Sequence, residues 1–171
     1  MILVSYCKLG LRCTYKGGTN DHLPDAPFLK KLFRMGLAVP VCPEVFGGLT
    51  TPRDASEIRG GNGFDVARGA AKVYSKMGAD VTVNFLEGAR MCVGIAAHFD
   101  VKAAVLNEFS PSCGVRHVYD GTFSRRAIKG PGVLGALLIS EFSSDLPVYG
   151  ELTPRDARAI LNIFDIRQDL W

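Results

Sequence analysis

The stretch Ile2-Leu3-Val4-Ser5-Tyr6-Cys7 begins as a short apolar run and ends in a thiol. Such a run, bounded by turn residues, is typical of a strand buried on both faces. The pattern recurs in Val39-Pro40-Val41-Cys42-Pro43-Glu44, and again where the apolar run 102–106 leads into Ser110-Pro111-Ser112-Cys113-Gly114. Because the carboxyl ends of parallel strands meet at one edge of a sheet, we expect these three cysteines to converge there.

Helical patterns alternate with these strands along the chain. They cover Phe28 to Met35, a stretch from Thr82 or Asn84 to His98, Gly132 to Phe142, and a segment that starts at Thr153. Leu146 to Tyr149 is predicted as a fourth strand, and Ala71 to Tyr74 with Asp80 to Val83 as a hairpin at the sheet margin. This alternation predicts an α/β fold, a compact three-layer α/β/α single domain with a mostly parallel central sheet. That domain is expected to span 1–171, with 151–171 as a C-terminal helical extension.

Composition limits the classes of function. The chain has 171 residues, 47% of them hydrophobic, and a formal net charge of +3, which is too mild for binding duplex nucleic acid. No apolar run approaches the ~20 residues needed to span a bilayer, and the N-terminus lacks the charged region of a signal peptide. We therefore expect a cytoplasmic protein without a membrane partner, either a monomer or a weak dimer. Its five cysteines then suit metal binding or core packing better than disulfides.

Three converging thiolates are typical of an iron–sulfur centre. A cubane cluster normally takes four thiolates, so three would leave one iron open, as a catalytic zinc keeps an open position. From spacing alone Cys7 and Cys13 are equally good candidates in the first segment, because the turn at Gly10 lets either face the centre. Cys92 lies within a predicted helix among apolar residues and is expected to pack in the core.

Polar residues accompany two of the cysteines. Pro43 fixes the backbone between Cys42 and Glu44, so a carboxyl group is held beside a candidate metal ligand, where it could carry protons. Ser110 and Ser112 precede Cys113 directly, although serines in such a turn are also ordinary turn formers. The polar segment 119–124, which contains Tyr119 and Asp120, is expected either to line the same edge or to be a plain hairpin loop.

Five ordered blocks of this sequence resemble the thiouracil desulfidases, a bacterial and archaeal family long catalogued as a domain of unknown function. The blocks are Val4-Ser5-x-Cys7-x-Leu9-Gly10, Tyr15-x-Gly17-Gly18, the stretch from Pro40 to Arg53, Ser110-Pro111-Ser112-Cys113-Gly114, and Tyr119-Asp120-Gly121-Thr122-Phe123-Ser124. They cover nearly all of positions 1–150. The resemblance implies a compact α/β domain that holds a 4Fe-4S cluster with one iron not bound by protein, which takes sulfur from a thiolated uracil or its nucleotide.

The resemblance also implies roles for individual residues. The ligands would be Cys7, Cys42 and Cys113, because the family's first motif carries its cysteine just before Leu-Gly. Glu44 matches the family's catalytic acid, and either Ser110 or Ser112 its second catalytic residue. The chain departs from the family pattern at Tyr6, Lys8, Thr14 and Lys16. These departures bear on the substrate more than on the cluster, because the thiolate positions are intact.

The resulting hypothesis is a non-redox desulfidase that converts a thiocarbonyl on a pyrimidine into a carbonyl and releases sulfide. Glu44 would activate water and a serine would hydrogen-bond the ring, while the open iron accepts the sulfur. Lys8 and Arg53 are candidate phosphate ligands for thiouridine monophosphate, and Tyr119 and Asp120 are further candidate substrate contacts. The main alternative is an iron–sulfur or metal-binding module that senses or delivers sulfur or metal without turnover. A structural zinc site with Cys13 or Glu44 as fourth ligand is a third hypothesis.

Overall fold

The computed structural model describes residues 1–166, which form eight strands and six α-helices. In chain order the elements are β1 (Ile2–Ser5), a 3-10 turn (Tyr6–Leu9), α1 (Ala26–Arg34), β2 (Ala38–Val41), α2 (Pro43–Phe46), β3 (Ser56–Arg59), α3 (Gly63–Ala67), β4 (Lys72–Ser75), α4 (Thr82–His98), β5 (Ala103–Val105), β6 (His117–Tyr119), β7 (Ala127–Lys129), α5 (Val133–Phe142), β8 (Val148–Tyr149) and α6 (Pro154–Ile163).

The central sheet is parallel throughout, with strand order β2-β1-β5-β8. Leu3 of β1 aligns with Val39 of β2 on one side and with Ala104 of β5 on the other. All four residues of β1 are buried, as expected of a parallel strand whose two faces are both covered.

Two hydrophobic cores lie on opposite faces of this sheet, because successive side chains of a strand alternate in direction. Leu3 joins the core that contains Phe85 of α4 and Leu134 of α5. Its neighbour Val4 joins the other core, where α1 and α6 pack. The predicted α/β fold of three layers around a mostly parallel sheet is therefore confirmed.

The predicted hairpin between Ala71–Tyr74 and Asp80–Val83 is wrong. β4 pairs instead with β3 in antiparallel register, with Glu57 opposite Tyr74, and Asp80 forms only an isolated bridge to Tyr74. The segment after Asp80 cannot continue as a strand because α4 begins at Thr82. β3 has no apolar run, so its sequence Ser-Glu-Ile-Arg gave no strand signal.

The helix predicted from Thr82 or Asn84 to His98 begins at Thr82 and has the expected end. Its buried residues are Phe85, Gly88, Ala89, Cys92 and Ala96, whereas Leu86 and Val93 are only partly buried. The burial of Cys92 in the core agrees with the sequence analysis.

The short helix α2 lies with its backbone directly against α4. A Cβ atom added at Gly88 would lie 1.7 Å from the carbonyl oxygen of Pro43, and one at Gly47 would lie 2.0 Å from that of Asn84. The Asn84 side-chain amide donates a 2.8 Å hydrogen bond to the Gly47 carbonyl. Glycines at these two positions allow the close approach that fixes the place of α2, and with it Glu44.

The C-terminal helix begins as its sequence predicts. Thr153 and Asp156 form a capping box, and Pro154 occupies the first turn. Ala157, Ile160 and Leu161 are buried against the sheet. The last part of the predicted C-terminal extension, 167–171, lies outside the described residues. None of the helices found within 1–166 is both long and apolar enough to traverse a bilayer.

Candidate active site

A cavity of about 680 Å³ lies beyond the carboxyl ends of β1, β2 and β5. Four thiols line it: Cys7, Cys13, Cys42 and Cys113. All four are buried, and none takes part in a disulfide. The three cysteines at the strand ends thus lie on one cavity, as expected for this edge of a parallel sheet, together with a fourth thiol from the first loop.

Each strand-end cysteine lies in a tight local turn. Cys7 belongs to the 3-10 turn after β1, which ends at Gly10 with φ +87°, a conformation that favours glycine. Cys42 immediately precedes α2, where Pro43 occupies the first turn. Cys113 lies in the turn closed by a 2.8 Å hydrogen bond from the Gly114 backbone N–H to the Ser110 carbonyl.

The thiols of Cys7, Cys13 and Cys42 pack together as one buried cluster. Hydrogen bonds from Cys13 lower the pKa of Cys42 to about 7 and also lower the pKa of Cys7, while the pKa of Cys13 itself is raised. The side-chain amide of Asn20, 3.5 Å from the Cys7 sulfur, lowers the pKa of Cys7 further. The surroundings of Cys7 and Cys42 thus favour the thiolate over the neutral thiol, and the thiolate is the form that binds metal. Burial raises the pKa of Cys113.

A hydrogen-bonded chain of two serines and a carboxylate lies beside the thiols. The Ser112 hydroxyl donates to Glu44 Oε1 at 2.7 Å, and its oxygen lies 2.9 Å from the Ser110 hydroxyl. The Ser110 oxygen accepts from the Cys113 backbone N–H at 3.1 Å. Since the Ser112 proton is directed at Glu44, Ser110 is the donor between the serines, and the chain runs from Ser110 through Ser112 to Glu44.

Arg53 lines the cavity, and each nitrogen of its guanidinium donates at least one hydrogen bond to a protein group. Its Nε donates to Glu44 Oε2 at 2.6 Å, and Nη2 donates to the Cys13 carbonyl at 3.0 Å. Nη1 donates to the Thr50 carbonyl and the Thr51 hydroxyl, both at 3.1 Å. The predicted phosphate ligand is therefore better described as the residue that orients Glu44.

Lys8 does not line the cavity, in contrast to its predicted role. It is fully buried, and its ammonium lies 2.8 Å from Asp25 Oδ2 and 3.1 Å from Oδ1. In the 3-10 turn Cys7 faces the cavity, while Lys8 reaches Asp25 just before α1. An ammonium held in this way is not free to bind a phosphate.

The two polar residues at the end of β6, its last residue Tyr119 and the following Asp120, have different surroundings. Tyr119 lines the cavity and stacks on Phe109, with ring centroids 5.7 Å apart. The Asp120 carboxylate instead accepts hydrogen bonds from Thr122 and pairs with Arg126 at 3.5 Å, so this predicted substrate contact is not among the cavity-lining residues. Residues 120–126 form the loop between β6 and β7, the hairpin loop that was one of the two interpretations of this segment.

Several lining residues were not predicted as substrate ligands, although Lys16 is one of the departures from the family pattern. Lys16, Lys76 and Arg125 are exposed on the cavity wall, and none of the three forms an ion pair with another residue of 1–166. They come from three distant segments, so only the fold brings them to one cavity. Asn20, which contacts both Cys7 and Asn107, was missed for the same reason.

The donor set suits a soft metal centre. Four buried thiols on one cavity are the ligand type that iron–sulfur clusters require. In the part of the chain that the structure describes, no three His, Cys, Asp or Glu side chains converge on one position for a single metal ion. The cavity and its thiols therefore fit the cofactor implied by the sequence resemblance.

Fold and site together define an α/β protein with a cysteine-lined cavity and an acid–serine network at the carboxyl edge of its parallel sheet. The family model described as 2-thiouracil desulfurase matches residues 2–148, and the chain belongs to that family. It is 44% identical over 138 residues to the uncharacterized protein YbbK of Bacillus subtilis (strain 168), covering 81% of this chain and 89% of YbbK.

The fold also matches a solved structure. The 4Fe-4S-dependent thiouracil desulfidase TudS matches with a TM-score of 0.80 and 33% identity, over 95% of this chain and 97% of that one. The resemblance stated from the sequence motifs is thus confirmed at the level of family and fold.

Proposed function

We propose that this protein is a 4Fe-4S-dependent desulfidase that removes sulfur from thiolated uracil or thiouridine monophosphate and releases sulfide. The observation that carries the proposal is the hydrogen-bonded chain from Ser110 through Ser112 to Glu44 on the same cavity as the thiols. The family membership and the cofactor of TudS support it. Cys7, Cys42 and Cys113 would hold the cluster, which supplies, when bound, an iron without a protein ligand that accepts the sulfur.

Glu44 is the general base in this proposal. Arg53 and Ser112 each bond one of its oxygens, so the carboxylate is held in one orientation at the cavity. Carboxylate oxygens accept more than one hydrogen bond, which leaves capacity for a water molecule. The water oxygen attacks the thiocarbonyl carbon and becomes the carbonyl oxygen. The sulfur leaves as hydrogen sulfide with the two protons of the water, so no electrons are transferred.

The two serines carry a proton from Glu44 to the substrate. Glu44 takes a proton from the attacking water and, once protonated, becomes the donor to Ser112. Both serine hydroxyls then reverse direction, so that Ser112 donates to Ser110 and the Ser110 proton becomes free for the substrate. Ser110 is half-buried on the cavity, whereas Ser112 is only 1% exposed. Of the two candidates, Ser110 is thus the one that donates to the substrate, and Ser112 links it to the base.

Aromatic and cationic residues of the cavity suit a pyrimidine nucleotide. The stacked rings of Phe109 and Tyr119 offer an apolar surface for a planar base. Lys16, Lys76 and Arg125 replace Lys8 and Arg53 as the phosphate ligands of the proposal. We expect Lys76→Ala to raise KM about tenfold for thiouridine monophosphate and to leave KM for the free base unchanged. Equal KM changes for both substrates would contradict the phosphate role, and the exposed Lys129→Ala is the control.

The test of the chemistry is sulfide release by anaerobically purified protein from several thiolated pyrimidines and their nucleotides. Glu44→Gln keeps the side-chain shape but cannot take a proton, so turnover should fall about 100-fold or more while iron content stays at the wild-type value. Glu141→Gln, at an exposed position on α5, is the matched control.

The outcome also separates the alternatives. A wild-type protein that carries its cluster but releases no sulfide from any of these compounds would favour the non-catalytic metal-binding module. Colourless protein that contains zinc and no iron would favour the structural zinc site. Unchanged turnover in Glu44→Gln would show that Glu44 is not the general base.

A further inference from the structure

The thiol of Cys13 has no role in the ligand set proposed above, yet it lies on the same cavity wall. Cys13 is only 5% exposed. Its side chain packs against Cys7 and Cys42, two of the three proposed ligands, in one buried cluster. Its thiol is therefore in a position to donate a hydrogen bond to their sulfurs.

Hydrogen bonds to the Cys13 carbonyl and in the turn that follows it fix the backbone at Cys13. Its carbonyl accepts the 3.0 Å hydrogen bond from Arg53, the residue that also bonds Glu44. The next residue, Thr14, closes the following turn with two hydrogen bonds to Gly18. The thiol position is thus coupled to the same arginine that orients the proposed base.

Core packing does not account for this cysteine. A cysteine used as a small hydrophobic residue lies among apolar side chains, as Cys92 does on α4. The buried cluster around Cys13 consists instead of Cys7 and Cys42, with only Tyr6 packed against it. Cys13 is surrounded by sulfur rather than by hydrocarbon.

We propose that Cys13 is a positioning residue for the cluster, which donates its S–H proton to the iron-bound sulfurs of Cys7 and Cys42 without ligating iron itself. The inference rests on the proposed function, because it requires the cluster. One thiol has one proton, so the hydrogen bond serves the two sulfurs in turn. Hydrogen bonds to coordinating sulfur withdraw electron density from iron and raise the reduction potential of a cluster.

The experiment compares the full-length wild type with Cys13→Ala, Cys13→Ser and the control Cys92→Ala after anaerobic cluster reconstitution. Iron and sulfide content are measured first, followed by the midpoint potential from a reductive titration monitored by electron paramagnetic resonance. Cys13→Ala should keep the full iron content and shift the midpoint to a more negative potential. Cys13→Ser, which retains a donor, should lie closer to the wild type, and Cys92→Ala should not differ from it.

Two results would overturn the inference alone. One is a folded, stable Cys13→Ala protein that no longer retains iron, because Cys13 would then be a ligand. The other is a fully loaded Cys13→Ala protein with the wild-type potential. If Cys13→Ala does not fold, Cys13→Val replaces it in the comparison, because valine is closer in volume to cysteine. A wild-type protein that binds no cluster would instead overturn the proposed function, and this inference with it.

Discussion

Ser110 and Ser112 are only two positions apart in one turn, yet they have different surroundings. Ser112 is almost completely buried and its proton is directed at Glu44, whereas Ser110 is half-buried and accepts hydrogen bonds from two backbone N–H groups of the turn. Each serine depends on the other, since removal of Ser112 separates Ser110 from the carboxylate.

This dependence makes a double-mutant cycle informative. We expect Ser110→Ala and Ser112→Ala each to lower kcat about 100-fold, and the double variant to lose little more than either single one, because groups that act as one unit are not additive. Steady-state sulfide release at matched iron content measures this. Losses that multiply in the double variant would mean that the serines act separately.

Sequence reasoning correctly located residues whose position depends on their neighbours in the chain. The cysteines after β1 and β2 and the Cys42-Pro43-Glu44 spacing could be found because strand ends and a fixed turn determine where they lie. It failed for Lys8, because whether a cation is free depends on its partner, and Asp25 is 17 positions away. For Arg53 the partner is Glu44, which sequence reasoning had assigned only to catalysis.

At the scale of elements, the contact between α2 and α4 positions the proposed base. Since a Cβ at Gly88 would overlap the Pro43 carbonyl, Gly88→Ala must push α2 away from α4. We expect it to lower the free energy of unfolding by about 1–3 kcal/mol, the usual cost of overpacking, and to lower turnover through the displacement of Glu44. Urea denaturation and sulfide release measure the two effects.

The control for this element is Gly94→Ala, on the same helix, where an added Cβ meets no atom within 4 Å. Since alanine favours helix more than glycine does, Gly94→Ala should be neutral or stabilising. A Gly88→Ala protein as stable and active as Gly94→Ala would show that α2 tolerates displacement.

The elements themselves were predictable to different degrees. Strands made of apolar runs and helices with clear caps were located from the chain alone, because burial on both faces and capping are encoded locally. β3 was not, since its Glu57 is buried only through hydrogen bonds to the backbone N–H groups of Gly121 and Phe123. Because the buried Glu57 carboxylate accepts hydrogen bonds from a distant loop, β3 contains a charged residue at a buried position and lacks the apolar pattern from which strands are predicted.

At the scale of the whole molecule, the described residues from 151 onward contribute no side chain to the lining of the thiol cavity but close one of the two cores. α6 buries Ile160 and Leu161, and the Leu152 backbone N–H donates to Asp25 at 3.2 Å. Full burial of one such aliphatic side chain contributes about 1.5–3 kcal/mol. The family match ends at residue 148, before this segment.

We therefore expect deletion of 151–171 to lower the free energy of unfolding by at least about 4 kcal/mol, since three buried large aliphatic side chains, Leu152, Ile160 and Leu161, are lost. Turnover per bound cluster at low temperature should change little. Denaturant titration and iron-normalised sulfide release measure the two quantities. A truncated protein that folds and binds iron but has lost turnover would assign the segment a part in the chemistry; Ile163→Ala, at an exposed position, is the stability control.

The strand order β2-β1-β5-β8 also determines the order in which the strands can pair while the chain is being synthesised. β1 and β2 are synthesised early and can pair, but β5 joins β1 only when residues about 100 positions later are available. Pairings between such distant segments form slowly, because the intervening chain must close a long loop. Cys7, Cys13 and Cys42 thus emerge well before Cys113. A growing polypeptide therefore carries only part of the proposed ligand set, and the proposed cluster can be held by all three cysteines only after Cys113 has emerged.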